Sequence, residues 1–522
     1  MGFQFSGILL STDLRHRPRL HDSEVYDHRQ TDNELKNPIE KSVIRKTDPR
    51  TINKMIVDTF LKGKSKVDVD RLRVYLKDNL KEMNQINVIT LMHRCGKHKL
   101  DLFSFIDIES TVNLLDVKKS GVATAQGIAN AVYSLQSMTS TTSGSLHLIN
   151  ILSEQLMAST EIFEGQAISN SLYGLKGMST DSYEVRGILS AVLRTIKRCL
   201  LNQSSGKIET REEKRDNQDR DNDIIYKSRE SGPQSALRMT SQGIGSAFIG
   251  LQGMSSSNSD VKSILSILAN SIGQLTISNI GLDSQAVANI LVGLRSSSSE
   301  HSEVREVLVA LSKNLRRNIA IFREMTPREL SMALQGLQGM SSEHPQVDEL
   351  LTVLCDGLDY RTSIGKGQGL DNGGFEFKSG DEIGPALGGL KQMSAENLQV
   401  RRLLRHINSS MRAGMAKAQS YQGQGQGQMT RPVSNTVNSA QRKGAKVNSP
   451  VSSGFLHMTE QNIANSLYGL QSMDCRTDEV RSILSAIADE IMIFEGRLSG
   501  RTIANSLYGT SYQPYQYECS LQ

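Results

Sequence analysis

The sequence predicts an all-α fold: a right-handed α-solenoid of helix-turn-helix repeats of about 40 residues, carrying disordered inserts. Three observations predict it. One phrase recurs, as Ile463–Met473 (IANSLYGLQSM), Ile168–Met178 (ISNSLYGLKGM), Ile128–Met138 (IANAVYSLQSM) and Ile244–Met254 (IGSAFIGLQGM), and more loosely as Val287–Ser297, Leu330–Met340, Ile383–Met393 and Ile503–Gln513. Its reference leucine recurs as Leu135, Leu175, Leu251, Leu294, Leu337, Leu390 and Leu470, with Thr510 in the next slot, and the intervals cluster near 40 residues wherever no insert intervenes. A valine follows that leucine by ten residues in six units, as Val185, Val261, Val304, Val347, Val400 and Val480.

Two amphipathic helices make one unit. In the first, Ile463, Leu467 and Leu470 fall at i, i+4 and i+7, an apolar stripe down about three turns. Thr459, Thr240, Ser284 or Thr326 marks its start. Thr326-Pro327-Arg328-Glu329 adds Pro at the first helical position and a capping-box Glu. A Ser-rich turn such as Met254-Ser255-Ser256-Ser257 ends it. The second helix repeats the spacing with Val480, Ile483, Leu484 and Ile487. A pair this short cannot bury its apolar face alone, so neighbouring units must supply the rest of the core.

Along the chain, residues 1–50 read as a disordered segment and residues 51–120 as a helical region. Within the latter, Cys95 stands 40 residues ahead of Leu135, in frame with a diverged first repeat. The array spans 121–510, and 511–522 reads as an irregular tail. Inserts fall near 202–236, dense in both charges; 362–380, Gly-rich; and 416–452, with the tract Gln422–Gln428 (QGQGQGQ). Each follows a second helix, so all three are expected at one edge.

Composition narrows the function. The apolar fraction is 38% and the charged fraction 22%, low and diluted for a compact enzyme. Five scattered cysteines without a CxxC argue against a disulfide scaffold or zinc module. No apolar run is long enough for a membrane span. Arg15, Arg17, Arg19 and Arg29 are interspersed with Asp13, Asp22, Glu24 and Asp27, unlike an acid-poor transit peptide. His93 and Cys95, two residues apart on a helix, face different ways and make no nucleophile pair. Gly365-Lys366-Gly367 lacks the spacing of a phosphate loop. The recurring Met138, Met178, Met254, Met340, Met393 and Met473 read as core or turn filler. No catalytic residue, metal site or cofactor is expected.

Two polar rows carry the functional reading. The first pairs amides on one face of the first helix: Gln126/Asn130, Gln166/Asn170, Gln285/Asn289 and Gln461/Asn465, with the variants Gln242/Ser246, Arg328/Met332, Asp381/Pro385 and Arg501/Asn505. Stacked units would align them along one wall, either as a structural ladder bonding backbone across units or as contacts to a polymer, since amides bond base edges and peptide backbones alike. The second row is the cation after each valine: Arg186, Lys262, Arg305, Arg401 and Arg481, with Asp348 the exception. It fits a repeating phosphate backbone, or else ordinary surface solvation and pairing with acids of the next unit. The stretch from Asn397 to Thr459 has no acid and nine cations, beginning with Arg401, Arg402 and Arg405.

The unit of about 40 residues, with its Ala-Asn-Ser-Leu-Tyr-Gly-Leu-Gln phrase, resembles the organellar helical-repeat proteins of the octotricopeptide and heptatricopeptide kind, which are commonly joined to a RAP domain. Val88–Lys97, with its His-Arg-Cys-Gly-Lys, resembles the N-terminal part of such proteins. The resemblance covers roughly 85–510. It implies binding of single-stranded RNA for processing, stability or translation in a mitochondrion or chloroplast. The unclear presequence leaves the cytoplasm open. The alternative is an armadillo-like scaffold whose amide row holds a protein or extended peptide.

Overall fold

A computed structural model describes residues 48–61, 66–138, 142–204, 237–367, 377–425, 458–494, 496–500 and 502–504. These belong to one unit of the chain, Thr47–Gln522. The expected tail at 511–522, most of the N-terminal segment, most of the inserts near 202–236 and 416–452, and residues 368–376 of the insert near 362–380 lie outside them.

The described residues are all-helical, with no strand among them. The N-terminal region holds α1 (Pro49–Leu61), α2 (Lys66–Asp78), α3 (Gln85–His98), α4 (Ile108–Leu115) and the single turn α5 (Val117–Ser120). Paired helices follow: α6 (Ala125–Ser134) with α7 (Ser143–Ala158), α8 (Gly165–Gly174) with α9 (Tyr183–Ser204), and α10 (Ser241–Leu251) with α11 (Ser259–Ile277). Next come α12 (Ser284–Gly293) with α13 (Ser302–Arg317) and the one-turn α14 (Ile321–Glu324), then α15 (Pro327–Gln335) with α16 (Pro345–Gly367). The last are α17 (Gly380–Gly388) with α18 (Leu398–Gly425), and α19 (Glu460–Gly469) with α20 (Asp478–Met492).

First helices pack on first helices and second helices on second. The series α3, α6, α8, α10, α12, α15, α17, α19 is joined member to member, and so is α4, α7, α9, α11, α13, α16, α18, α20. The helix holding Cys95 therefore stacks on α6 as α6 stacks on α8, and α1 stacks on α3 in turn.

The core lies between the two series. All seven reference leucines are buried, from Leu135 at 0% exposure to Leu470 at 4%, and so are the six valines. Leu467 and Leu484, expected on the apolar stripe, are only half-buried, because their neighbours Ser466 and Ile483 take the inward positions. Five of the six methionines fill the core beneath the turn, while Met138 is partly buried.

Local signals act as their chemistry requires. The Oγ1 of Thr124, Thr240 and Thr459 accepts from the backbone N–H of Gly127, Gly243 and Asn462 at 3.2, 3.1 and 3.3 Å. Thr326 and Glu329 close a reciprocal capping box behind Pro327. At α12 the cap is Asp283, whose carboxylate accepts from Ala286 N–H at 2.7 Å, and Ser284 is the first helical residue instead of the cap. Helices also run past the expected boundaries. Pro49 and Arg50 begin α1, while α9, α16 and α18 carry residues 202–204, 362–367 and 416–425 of the inserts in helix.

Two backbone joints set the units against one another. Cβ atoms built on Gly174, Gly250, Gly293, Gly336, Gly389 and Gly469 would lie 2.0, 1.9, 2.3, 2.1, 1.9 and 2.0 Å from the carbonyl oxygens of Val132, Leu172, Phe248, Leu291, Leu334 and Leu387. Each pair joins the residue before a reference leucine to the residue three before the preceding one, so the glycine of Tyr-Gly-Leu is a site of direct backbone approach. Ser134 stands in that slot in α6, and there the glycine is on the other side: a Cβ on Gly96 would lie 2.6 Å from the Ser134 Cα. The second joint explains the Ser-rich turns. The N–H of Ser255, Ser298, Ser341 and Ser394 donates to the hydroxyl of Thr180, Ser256, Ser299 and Ser342 in the preceding unit, at 3.4, 3.0, 2.9 and 2.9 Å. All four acceptors are buried.

Candidate binding wall on the first helices

Residues at i, i+4 and i+7 of a helix share one face. On the first helices that face, opposite the apolar stripe, holds the amide row. Gln126, Gln166, Gln285 and Gln461 are exposed, and Asn130, Asn170, Asn289 and Asn465 are half-exposed between buried neighbours. Gln126 Nε2 donates to Asn130 Oδ1 at 2.9 Å, and Gln461 Nε2 to Asn465 Oδ1 at 2.8 Å. Among the described residues no side-chain hydrogen bond links Asn130, Asn170, Asn289 or Asn465 to the backbone of a neighbouring unit. The cross-unit ladder that this row was one candidate for is made by the serine turns, and the amides are left facing outward. The variants Gln242, Arg328 and Asp381 are exposed in the same slot, with Asp381 accepting from Asn462 Nδ2 at 2.9 Å. Arg501 and Asn505 lie outside the described residues.

In the basic row, Arg186, Arg305 and Arg481 are engaged within their own units. Arg186 donates to the carbonyls of Thr180 and Asp181 at 2.7 and 2.9 Å, and Arg305 to those of Ser299 and Glu300 at 2.6 and 2.9 Å. Standing early in the second helix, each guanidinium folds back over the turn and satisfies its last carbonyls. Arg481 pairs with Asp478. Arg401 Nε is buried without a partner, and the Glu303 carboxyl is held below its ordinary range by its own backbone N–H, then the Ser302 hydroxyl and the charge of Lys262. The acid-free stretch is likewise met by acids from elsewhere: Arg402 binds Asp356 and Asp359 at 3.0 and 2.6 Å, and Arg405 binds Glu479 at 2.9 Å. Lys417, Arg431, Arg442, Lys443 and Lys446 have side chains outside the described residues.

The wall carries two further kinds of group that the sequence reading passed over. Two residues before the reference position stand His93, Tyr133, Tyr173 and Tyr468. The Tyr133 and Tyr173 rings stack at 5.6 Å between centroids and 17°, and His93 meets Tyr133 edge-on at 5.5 Å. One residue after it stand Lys176 and Lys391, whose ammoniums lie 5.7 and 5.5 Å from the ring centroids of Tyr173 and Tyr468. Burial, then the charge of Lys99, holds the Lys176 ammonium below the ordinary lysine range; burial, then Arg295, does the same at Lys391. Neither lysine has an ion-pair partner among the described residues. Burial also pushes the Tyr173 hydroxyl up and lowers the Arg295 guanidinium. Half-buried cations set near other cations, with rings beside them, suit an anionic ligand with flat groups. The signal was in the phrase itself, where Tyr precedes Gly-Leu and a Lys replaces the following Gln in ISNSLYGLKGM.

Nothing in the described residues gathers three or more His, Cys, Asp or Glu as a metal site, and no helix there is long and apolar enough to cross a membrane. Comparison with protein-family models, curated proteins and solved structures returns no match.

Proposed function

We propose that the protein is a non-catalytic, right-handed α-solenoid that binds single-stranded RNA along the first-helix wall. The observation that carries the proposal is the composition of that wall: outward amides, tyrosine rings and half-buried lysines without acid partners, repeated at fixed helix positions. Rings offer stacking to any base, amides reach base edges, and cations hold phosphate. The resemblance of the repeat phrase to organellar RNA-binding repeats supports the same reading, with a role in RNA processing, stability or translation in a mitochondrion or chloroplast, the cytoplasm being the alternative.

The test is a binding titration of labelled single-stranded RNA against wild type and a variant with Asn130, Asn170, Asn289 and Asn465 all changed to Ala. Because these amides face outward, the variant is expected to melt as wild type does and to bind RNA less tightly. Wild type that ignores RNA but binds extended peptides, with the same variant weakening that binding, would replace this reading with the armadillo-like scaffold. Amide pairs bond a peptide main chain equally well, which is what favours that second reading.

A further inference from the structure

The slot two residues before each reference position does not carry a ring throughout. It holds His93, Tyr133 and Tyr173 in α3, α6 and α8, then Ile249, Val292, Gln335 and Gly388, and a ring returns at Tyr468. Packing does not require the rings: Ile249 and Val292 are buried in the same slot, whereas His93, Tyr133 and Tyr173 stand half-exposed. In α3, α6 and α8 the rings fall in consecutive units and touch.

Their contact leaves ring face to spare. Parallel rings meet at about 3.5–4.0 Å, so a centroid separation of 5.6 Å at 17° leaves Tyr133 and Tyr173 displaced sideways by about 4 Å. Each then covers only part of the other. His93 meets Tyr133 with its edge, at 62°. Lys176 reaches Tyr173, its Nζ 5.7 Å from the ring centroid.

The charge around the rings is of one sign. Burial, then Lys99, holds the Lys176 ammonium down, and burial, then Arg94 and Lys97, does the same to the His93 imidazole; no carboxylate acts on either. Asp101, whose charge reaches Cys95 of α3, is engaged as the cap of the following turn and accepts from Phe103 N–H at 3.1 Å.

We infer that His93, Tyr133, Tyr173 and Lys176 form an anchor site for one nucleotide of the strand, its base stacked on the uncovered part of the tyrosine pair and its phosphate on the Lys176 ammonium. The inference rests on the RNA reading and locates the strand's tightest hold at the first units of the wall. Over α10 and α12, where the slot is aliphatic and buried, the outward Gln242, Gln285 and Asn289 meet the strand without a ring. A nucleotide supplies what the site lacks: a flat group for the rings and an anion for the cation.

The experiment uses the full chain and a 12-nucleotide oligouridylate carrying one central 2-aminopurine. Binding is read by anisotropy of an end label, and stacking by the 2-aminopurine emission, which falls when the base stacks. Wild type is expected to quench that emission on binding. Tyr133→Ile/Tyr173→Val introduces the side chains that fill the slot in α10 and α12, so the fold accepts them, as a circular-dichroism melt should confirm. This variant should lose the quench and bind about 5- to 150-fold more weakly, the range for one lost base–ring stack. Tyr133→Phe/Tyr173→Phe should keep both. Lys176→Gln, a residue this position already holds as Gln136 and Gln252, should keep the quench. It should flatten the log–log salt slope between 50 and 200 mM KCl by about 0.7, the share of one phosphate contact. Tyr183→Ile, at an exposed tyrosine on the second helix α9, should change neither reading.

Wild-type affinity and quench in Tyr133→Ile/Tyr173→Val would overturn the anchor and leave the RNA reading standing. Failure of the wild type to bind the oligonucleotide at 50 mM KCl would overturn both. Adenosine monophosphate bound as tightly as the oligonucleotide, and lost in the same variant, would make this a site for a free nucleotide and overturn the inference as well.

Discussion

Replacing Gly250 with Ala probes the joint between units directly. The added methyl would stand 1.9 Å from the Leu172 carbonyl oxygen, whereas ordinary contact begins near 3.4 Å, so α8 and α10 must part by about 1.5 Å or α10 must turn. Overpacking of this kind costs about 1–3 kcal/mol, and a joint made of two backbones has no rotamer with which to escape. Against it stands the gain of about 0.5–1 kcal/mol from Ala over Gly inside a helix. The net is a destabilisation of roughly 0–2.5 kcal/mol, with a middle value near 1 kcal/mol. Gly273→Ala is the control: it is interior to α11, a Cβ there meets nothing within 4 Å, and only the helix gain should remain. Urea unfolding followed by circular dichroism should move the two midpoints in opposite directions, and hydrogen exchange should show the Gly250→Ala loss centred on α8 and α10. Stabilisation of Gly250→Ala to the level of Gly273→Ala would refute the close backbone approach.

Two further outcomes follow from local chemistry. Thr326→Ala removes the hydroxyl half of the capping box at the start of α15, where the Thr326 hydroxyl accepts from Glu329 N–H at 3.2 Å, and leaves the backbone half, in which the residue-326 N–H donates to Glu329 Oε2 at 2.7 Å; a loss of about 1 kcal/mol is expected, with faster amide exchange at Glu329. His93 is held below its ordinary value of 6.5 by burial, then by Arg94 and Lys97, so as pH falls through 6.5 the unfolded chain takes up a proton that the folded one does not. Stability should therefore decline below pH 6.5, and His93→Gln should shallow that decline in a pH series of melts; an unchanged slope would show that the imidazole titrates alike in both states.

The helices were legible in the sequence because their signals are local: the i, i+4, i+7 stripe, the threonine caps, the fixed step from leucine to valine. Even Cys95 gave the frame of α3. What was less legible depends on the neighbouring unit. The serine turns looked like ordinary chain reversals, yet Ser256, Ser299 and Ser342 are buried acceptors for the next unit's N–H, which only the stacked partner reveals. Arg186 and Arg305 recur at a phase that suits phosphate, but a side chain early in a second helix can also fold back on its own turn, and spacing alone does not distinguish the two. The lysines and tyrosines of the wall were hidden for the opposite reason. They sit inside a phrase so repetitive that its small departures, Lys for Gln at 176 and 391, read as drift.

A joint between a glycine and a main-chain oxygen takes no account of which side chain the neighbour bears. Units joined this way are interchangeable in principle: one could be duplicated, deleted or moved along the array and still meet its new neighbour on the same terms. The pair Ser134 and Gly96 is the exception. A unit with serine at the joint can only follow one with glycine opposite, so α3 and α6 form a keyed couple that fixes where the permutable series begins.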